Sequence, residues 1–377
     1  MKSINEINKK IKEKKAVILT ATEAKEMVEE EGTKSLAEKC DVVTTATYSP
    51  MCSSGIFVNT GHTQPHMKMQ EVFLDDVQAY GGIATADFYL GATQESINDK
   101  TYGGAHVIDK LVKGQKISFK ADGNSTDCYP KNHFSKEITI NDLNQVYFYN
   151  PRNCYQNYNA ACNTSDKELK TYMGSLLPNC QSVNFAGSGE ISPLMNDPYL
   201  QTIGIGTRIF FCGGEGFISW EGTQYNSDAK RDEKTHLPLS PSATLAITAD
   251  LRQVDPKFIA PLYIRGYGVS LYISIGVAIP VINADMAHAL SIRNKDIITQ
   301  VHDFATRQTV GTVNYEQLHN NKIILNNKNP ISRTMTKIKD AYRITEILKK
   351  RIVDGTFELT EPVKQLPIYG KCSPIEQ

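Results

Sequence analysis

The chain has 377 residues, of which 40% are hydrophobic and 22% charged, the balance of an ordinary globular protein with one large or two modest domains. Lys plus Arg and Asp plus Glu both number 41, and a net charge of zero argues against nucleic acid or an anionic membrane as the main partner. No apolar run approaches the roughly 20 residues of a membrane-spanning helix, and nothing like a signal peptide follows Met1-Lys2-Ser3-Ile4, so a cytoplasmic location is expected.

Ser3 and Glu6 have capping-box spacing, and Ile4, Ile7 and Ile11 share a helical face, which predicts a first helix ending near Lys15. Ala16 to Leu19 reads as a short buried strand. Thr20 and Glu23 cap a second helix, stopped by Gly32. Asp41 to Thr45, rich in β-branched residues, reads as a strand. Cys52 follows it by a few residues, where open α/β sheets place reactive groups. The middle is punctuated by glycines. Gln115 to Lys120 alternates as a strand, with Cys128 after the turn beyond it. Ile203 to Trp220 predicts two strands around a glycine turn. The apolar stretch Leu262 to Ile282 holds glycines and Pro280, which favour strands. Lys337 to Leu348 is an amphipathic helix ending before Gly355, Phe357 to Leu359 resembles a final strand, and the tail after Pro367 looks irregular. The expected class is α/β, with mixed sheets, flanking helices and many Gly-rich loops; α+β is the alternative. Residues 1–367 are expected to form one catalytic domain, with a small C-terminal helical subregion starting near 311.

The eight cysteines form no C-x-x-C, which disfavours a zinc ribbon or thioredoxin-type motif. In a reducing compartment they should be thiols. Cys52, in Tyr48-Ser49-Pro50-Met51-Cys52-Ser53-Ser54-Gly55, and Cys128, in Ser125-Thr126-Asp127-Cys128-Tyr129-Pro130, each follow turn-forming residues, so loops should present them. Gly55 would permit a turn whose N–H groups face a small anion at Cys52. Asp127 sets a negative charge beside Cys128, which suits a resolving thiol or sulfur carrier better than a primary nucleophile. The bland alternative for both is a small packed hydrophobe. Cys154, Cys162, Cys180 and Cys212 read as core or incidental thiols, Cys154 being the first exception to consider.

His62 and His66 have a helical metal-ligand spacing, but Pro65 between them opposes a helix, so no metal site is expected. His62 is a candidate acid or base, with a backbone-bonded loop histidine as the alternative; His106 is a weaker candidate. Arg152 and Arg208 are candidates for a substrate carboxylate, and Asp75, Asp76 or Glu221 for an ammonium group. Gly204-x-Gly206 lacks a third glycine, and no P-loop, G-x-S-x-G or H-E-x-x-H occurs, so nucleotide-binding, serine hydrolase and zincin readings fail.

Several segments together carry a resemblance. They are DVVTTATYSPMCSSGIFVNTGH (41–62), KMQEVFLDDVQAYGGIATADFYLGATQ (68–94), YGGAHVIDKLVKG (102–114), the DCYP of 127–130, INDLNQVYFYNPRNCYQNY (140–158), TYMGSLLPNC (171–180) and TIGIGTRIFFCGGEGFISWEGTQ (202–224). From about Ile4 to about Pro367 the chain resembles a family of methanogens and anaerobes that makes homocysteine from aspartate semialdehyde and sulfide. The resemblance implies a sulfurtransferase whose reactive thiols are Cys52 and Cys128. It also implies a ferredoxin-like iron–sulfur partner as the external electron donor, since the chain carries no flavin, nicotinamide or iron–sulfur motif and no bound cofactor is expected. Many relatives append a regulatory or ferredoxin-like module beyond this point, and none is expected here. A homo-oligomer remains open. Two other classes stay in view: a persulfide carrier serving another acceptor, and a non-catalytic metabolite-binding subunit.

Overall fold

The computed structural model describes residues 2–367 together with Gly370, Cys372, Ser373 and Ile375. The Ser3–Glu6 capping box starts helix α1 (Ile4–Lys12), which buries Ile4, Ile7 and Ile11. Strand β1 (Ile18–Thr20) leads through the Thr20–Glu23 capping box into α2 (Ala21–Glu31). Gly32, at φ +85°, separates α2 from a further helix, α3 (Thr33–Lys39), which the sequence reading did not anticipate. Strand β2 (Val42–Pro50) is nearly all buried, because it lies inside a sheet covered on both faces.

Beyond the Cys52 turn the chain continues as β3 (Gly55–Asn59), β4 (Glu71–Leu74), β5 (Val77–Ala84), β6 (Asp87–Gly91), helix α4 (Gly104–Val112), β7 (Ile117–Asp122), β8 (His133–Ile138) and β9 (Gln145–Asn153). These strands share one 14-stranded sheet with the later strands Arg208–Phe211, Gly214–Glu221, Leu245–Asp250, Ile259–Ile264 and Gly268–Pro280. β1 and β2 pair in parallel; the other pairings in this sheet are antiparallel. The Gly268–Pro280 strand runs along the full length of β2. Helix Ile338–Val353 lies across both, and a side chain at Gly276 would meet Ile344 and Leu348 at 3.2 Å.

A second, five-stranded sheet is inserted beside the first. It is built from Ala160–Cys162, Ser182–Phe185, Ile298–Asp303, Thr309–Asn314 and Ile331–Thr334, with its own apolar core around Val183, Phe185, Val301 and Tyr315. The class is therefore α/β with mixed sheets, as the alternation of elements implies. Residues after 311 divide between the two parts, two segments joining the small sheet while the long helix returns to the large one. Phe357–Leu359 is not a strand. Phe357 and Leu359 are buried in the main core, and Asn8 of α1 bonds both the N–H and the carbonyl of Leu359, taking the groups a strand neighbour would need. The edge pairing falls instead at Lys364–Gln365, against Gly204–Ile205. Most of the tail after Pro367 lies outside the described residues. Among those described, no helix is long and apolar enough to cross a membrane.

Candidate active site

β2 ends at Pro50 and hands the chain to a tight turn, Met51–Ser54, before β3 begins. The turn is tied at several points. The Ser54 N–H and Oγ both donate to the Met51 carbonyl, at 3.2 and 2.7 Å, and Asn150 Nδ2 donates to Ser54 Oγ at 2.9 Å. The Met51 N–H donates to Leu271 O at 2.8 Å, and Ser53 Oγ donates to Arg152 O at 3.2 Å. Gly55 lies in the strand without a positive φ. It is glycine because a Cβ there would meet Tyr89 Oη at 2.2 Å and Leu90 O at 2.7 Å. The expected ring of inward N–H groups at Gly55 is thus replaced by a turn pinned to β9 and to the Gly268–Pro280 strand.

Cys52 is half-buried at the crest of this turn. Its Sγ lies 3.2 Å from Ser270 Oγ, a hydrogen bond in either direction. The Tyr267 hydroxyl also reaches the Cys52 side chain; burial first, and then the neighbouring thiol, pushes this phenol up to about 12. Tyr267 sits in the turn between Ile259–Ile264 and Gly268–Pro280, flanked by Gly266 at φ +77° and Gly268 at φ +132°.

Cys52 borders two spaces. The inner one, 360 Å³, lies between the two sheets. Tyr155, Tyr158, Tyr172 and Tyr267 line it together with Met51, Met173 and Met335. Tyr158 donates to Tyr172 Oη at 2.8 Å, and the Tyr172 and Tyr267 rings meet edge-on at 6.1 Å. The outer one, 350 Å³, is bounded by Cys52, Ser53, Thr93, Glu95, Arg152, Tyr267, Gly268 and Val269. Arg152 borders both, and among the described residues no carboxylate pairs with its guanidinium. An unpaired guanidinium beside a thiol suits a substrate that carries a carboxylate and an electrophilic carbon.

The other candidates lie elsewhere. Cys128 is exposed on the loop between β7 and β8, with Thr126 Oγ1 3.7 Å from its sulfur. His62 stands beside that loop, its ring stacked on His66 at 4.5 Å and 6.4 Å from the Tyr129 ring. Registers place this cluster far from Cys52. Cys52 precedes the Gly55–Gly91 end of the β3–β6 pair, whereas the Cys128 loop leaves β7 after Asp122, toward the Asn59–Asp87 end. Three strands, β6, β5 and β4, separate β3 from β7, a lateral distance of roughly 19 Å at about 4.8 Å per strand. The structure thus joins Cys52 with Arg152 at one end of the sheet and sets His62 near the loop that carries Cys128 at the other.

Arg208 does not border either space. It points along Phe217 and lies 3.7 Å from Glu215. His106 caps α4, its Nδ1 accepting the Gly103 N–H at 3.2 Å. Cys154 lines the inner space, but burial pushes its thiol up to about 12. Cys162 and Cys180 lie 3.6 Å apart in the small sheet's core, and Cys212 is buried in the large one. Asp75 is occupied by Lys110, Tyr102 and the Ser118 N–H, and Asp76 by Lys120 and Asn98. Glu221 borders neither space. Among the described residues no group of three or more His, Cys, Asp or Glu side chains could hold a metal ion. Sequence reasoning missed Ser270, Tyr267 and Glu95, because strand pairing alone brings them to Cys52.

Comparison with known proteins gives a consistent picture. The family described as "Homocysteine biosynthesis enzyme, sulfur-incorporation" matches residues 16–359. An L-aspartate semialdehyde sulfurtransferase of Methanocaldococcus jannaschii is 43% identical, over 97% of this chain and 73% of that protein. One of Methanosarcina acetivorans is 39% identical, over 100% of this chain and 74% of that protein. A more distant M. jannaschii protein, described as uncharacterized, is 25% identical over 82% of this chain. No solved structure matches. The chain belongs to the sulfur-incorporating homocysteine biosynthesis family of enzymes.

Proposed function

We propose that the protein forms L-homocysteine from L-aspartate semialdehyde and sulfide, or a persulfide sulfur, with Cys52 as its primary thiol. The observation that carries this reading is a half-buried Cys52 held between Ser270 and Tyr267, in a space that also presents an arginine with no carboxylate partner among the described residues. In this reading Arg152 binds the substrate carboxylate and the aldehyde carbon meets the thiol or its persulfide.

With sulfide as the source, aldehyde, hydrogen sulfide, two protons and two electrons give the thiol and water. The outer sulfur of a persulfide is two electrons more oxidised, so that source takes four protons and four electrons, and either way an electron source is required. Two cysteine thiols closing to a disulfide release two electrons and two protons. An external donor, a ferredoxin-like iron–sulfur protein in this reading, then returns them. Cys128 is the second thiol, and His62 beside it serves proton transfer at that thiol. Since Cys128 lies at the other end of the sheet, it acts on the Cys52 of a second copy of the chain. The outer sheet face supports such an assembly. Tyr147, Phe57, Tyr89 and Tyr80 form a cross-strand row there, in which Phe57, Tyr80 and Tyr147 are 40%, 66% and 52% exposed, an apolar surface of the kind that marks interfaces.

The test is anaerobic homocysteine formation from aspartate semialdehyde and sulfide with a strong reductant. Wild type should form product and Cys52→Ala none, with an unchanged circular dichroism spectrum. Equal product from both proteins would remove Cys52 from the chemistry. No product from folded wild type, with reductant present, would favour a carrier or binding subunit instead.

A further inference from the structure

The carboxylate of Glu95 forms the outer wall of the space facing Cys52, and the proposed reaction leaves it without a role. Glu95 follows β6 on the way to α4 and is held in place by a β-bridge to Gly103. Its carboxylate is aimed by the opposite wall: a Cβ at Gly268 would meet Glu95 Oε1 at 3.2 Å. Glycine at 268 therefore lets the carboxylate lie against the backbone immediately after Tyr267. The other oxygen, Oε2, is 3.3 Å from Lys100 Nζ, whose side chain is 72% exposed. Such a solvent-side pair is weak and exchangeable.

The outer space thus presents four functions around 350 Å³: a thiol (Cys52), a phenol (Tyr267), a guanidinium (Arg152) and a carboxylate (Glu95). This pattern is complementary to a small α-amino acid carrying a side-chain aldehyde, with carboxylate to arginine, ammonium to glutamate and carbonyl to thiol. The inner space offers mainly phenols, thioethers and hydroxyls, with no carboxylate on its walls.

We propose that Glu95 binds the α-ammonium group of the amino-acid substrate in the outer space, and so makes the enzyme select an amino aldehyde over its des-amino analogue. The proposal rests on the reading of Cys52 as the thiol that meets the aldehyde. It assigns the ammonium site to a residue outside the acidic candidates apparent in the sequence, Asp75, Asp76 and Glu221. Lys100 gives way to the substrate ammonium when the space fills.

The experiment reads binding apart from turnover. Cys52 forms a reversible hemithioacetal with a bound aldehyde and is then shielded from iodoacetamide. The alkylation rate of the Cys52 peptide is followed by mass spectrometry, against L-aspartate semialdehyde or succinate semialdehyde, which lacks only the amino group. In wild type the amino aldehyde should half-protect Cys52 at a concentration about 10–100-fold below the des-amino one, the scale of a lost charged contact. In Glu95→Gln that ratio should fall to within about 3-fold, through weaker protection by the amino aldehyde alone. Glu95→Asp should recover part of the ratio.

An unchanged ratio in Glu95→Gln, or equal protection of wild type by both aldehydes, would overturn the ammonium site. Selective protection without homocysteine formation would leave the ammonium site standing and remove the proposed reaction. No protection by either aldehyde would overturn both.

Discussion

At the scale of single residues the site depends on what each side chain can donate. An aldehyde oxygen gains negative charge when sulfur attacks its carbon, and a fixed donor facing it lowers the barrier. In the proposed reaction Tyr267 supplies such a donor. Burial and the Cys52 thiol keep its phenol protonated, with a pKa near 12, so it remains a donor throughout the neutral range. Tyr267→Phe should therefore lower kcat by about 100-fold, the usual cost of removing one such donor, with KM changed far less. A kcat within a factor of two of wild type would show that the phenol does no more than pack against Tyr172. Cys52 was a candidate in the sequence because of its turn-rich segment, and Arg152 because of its residue type alone, since it lies within β9. Tyr267, Ser270 and Glu95 were not legible, since a tyrosine after a glycine or a serine in an apolar strand looks the same wherever the fold places it. His62 is parted from Cys52 for the complementary reason. It lies ten positions after Cys52, but five residues of β3 intervene, and at about 3.3 Å per residue an extended strand carries it to the far end of the sheet.

At the scale of elements, capping boxes and apolar periodicity marked α1, α2 and the C-terminal helix correctly, because those signals are local. Local signals could not reveal how α2 is anchored. Lys25, on α2, is wholly buried, and its Nζ donates to Asn196 Oδ1 at 3.0 Å and to Leu290 O at 2.8 Å. Asn196 ends the short helix whose Pro193 and Leu194 line the inner space, so this lysine ties α2 to the cavity wall. Burial lowers its pKa from 10.5 to about 7, opposed in part by Glu190, while Arg293 reinforces the lowering. Between those two values the unfolded chain binds the proton more tightly than the folded one, so stability rises with pH across that window. Below about pH 7 the lysine is charged in both states and the burial penalty is felt in full. Thermal melts of wild type and Lys25→Met should diverge in this sense: the difference in Tm moves in favour of wild type as pH rises from 7 to 10. Parallel profiles would mean that Lys25 is solvated better than its surroundings suggest.

At the scale of the whole molecule the constraint on the reaction is geometric. A dithiol can supply two electrons only if its sulfurs come within bonding distance, about 2 Å, and the sheet that holds Cys52 holds Cys128 away from it by several strands. A hinge cannot close this gap, because β3, β6, β5, β4 and β7 are consecutive, paired strands of one sheet; bringing its ends together would break the ladders that form the core. A second copy meets the requirement without deforming either chain, and in a two-fold pair each chain lends its Cys128 to the other's Cys52, since such interfaces are reciprocal. This arrangement makes a quantitative prediction that a single-chain mechanism does not. Cys52→Ala and Cys128→Ala proteins, each inactive alone over many turnovers, should regain activity when unfolded together and refolded as a mixture. Random pairing makes half of the dimers mixed, and each mixed dimer holds one intact site of two, so the recovered rate should approach about a quarter of the wild-type value at equal total protein. Recovery should grow with protein concentration as pairing saturates. A mixture that stays as inactive as its parts, while size-exclusion chromatography shows mixed dimers, would exclude exchange of Cys128 between chains. Electrons would then have to reach Cys52 directly from the external donor, through the opening that Tyr267 and Glu95 border.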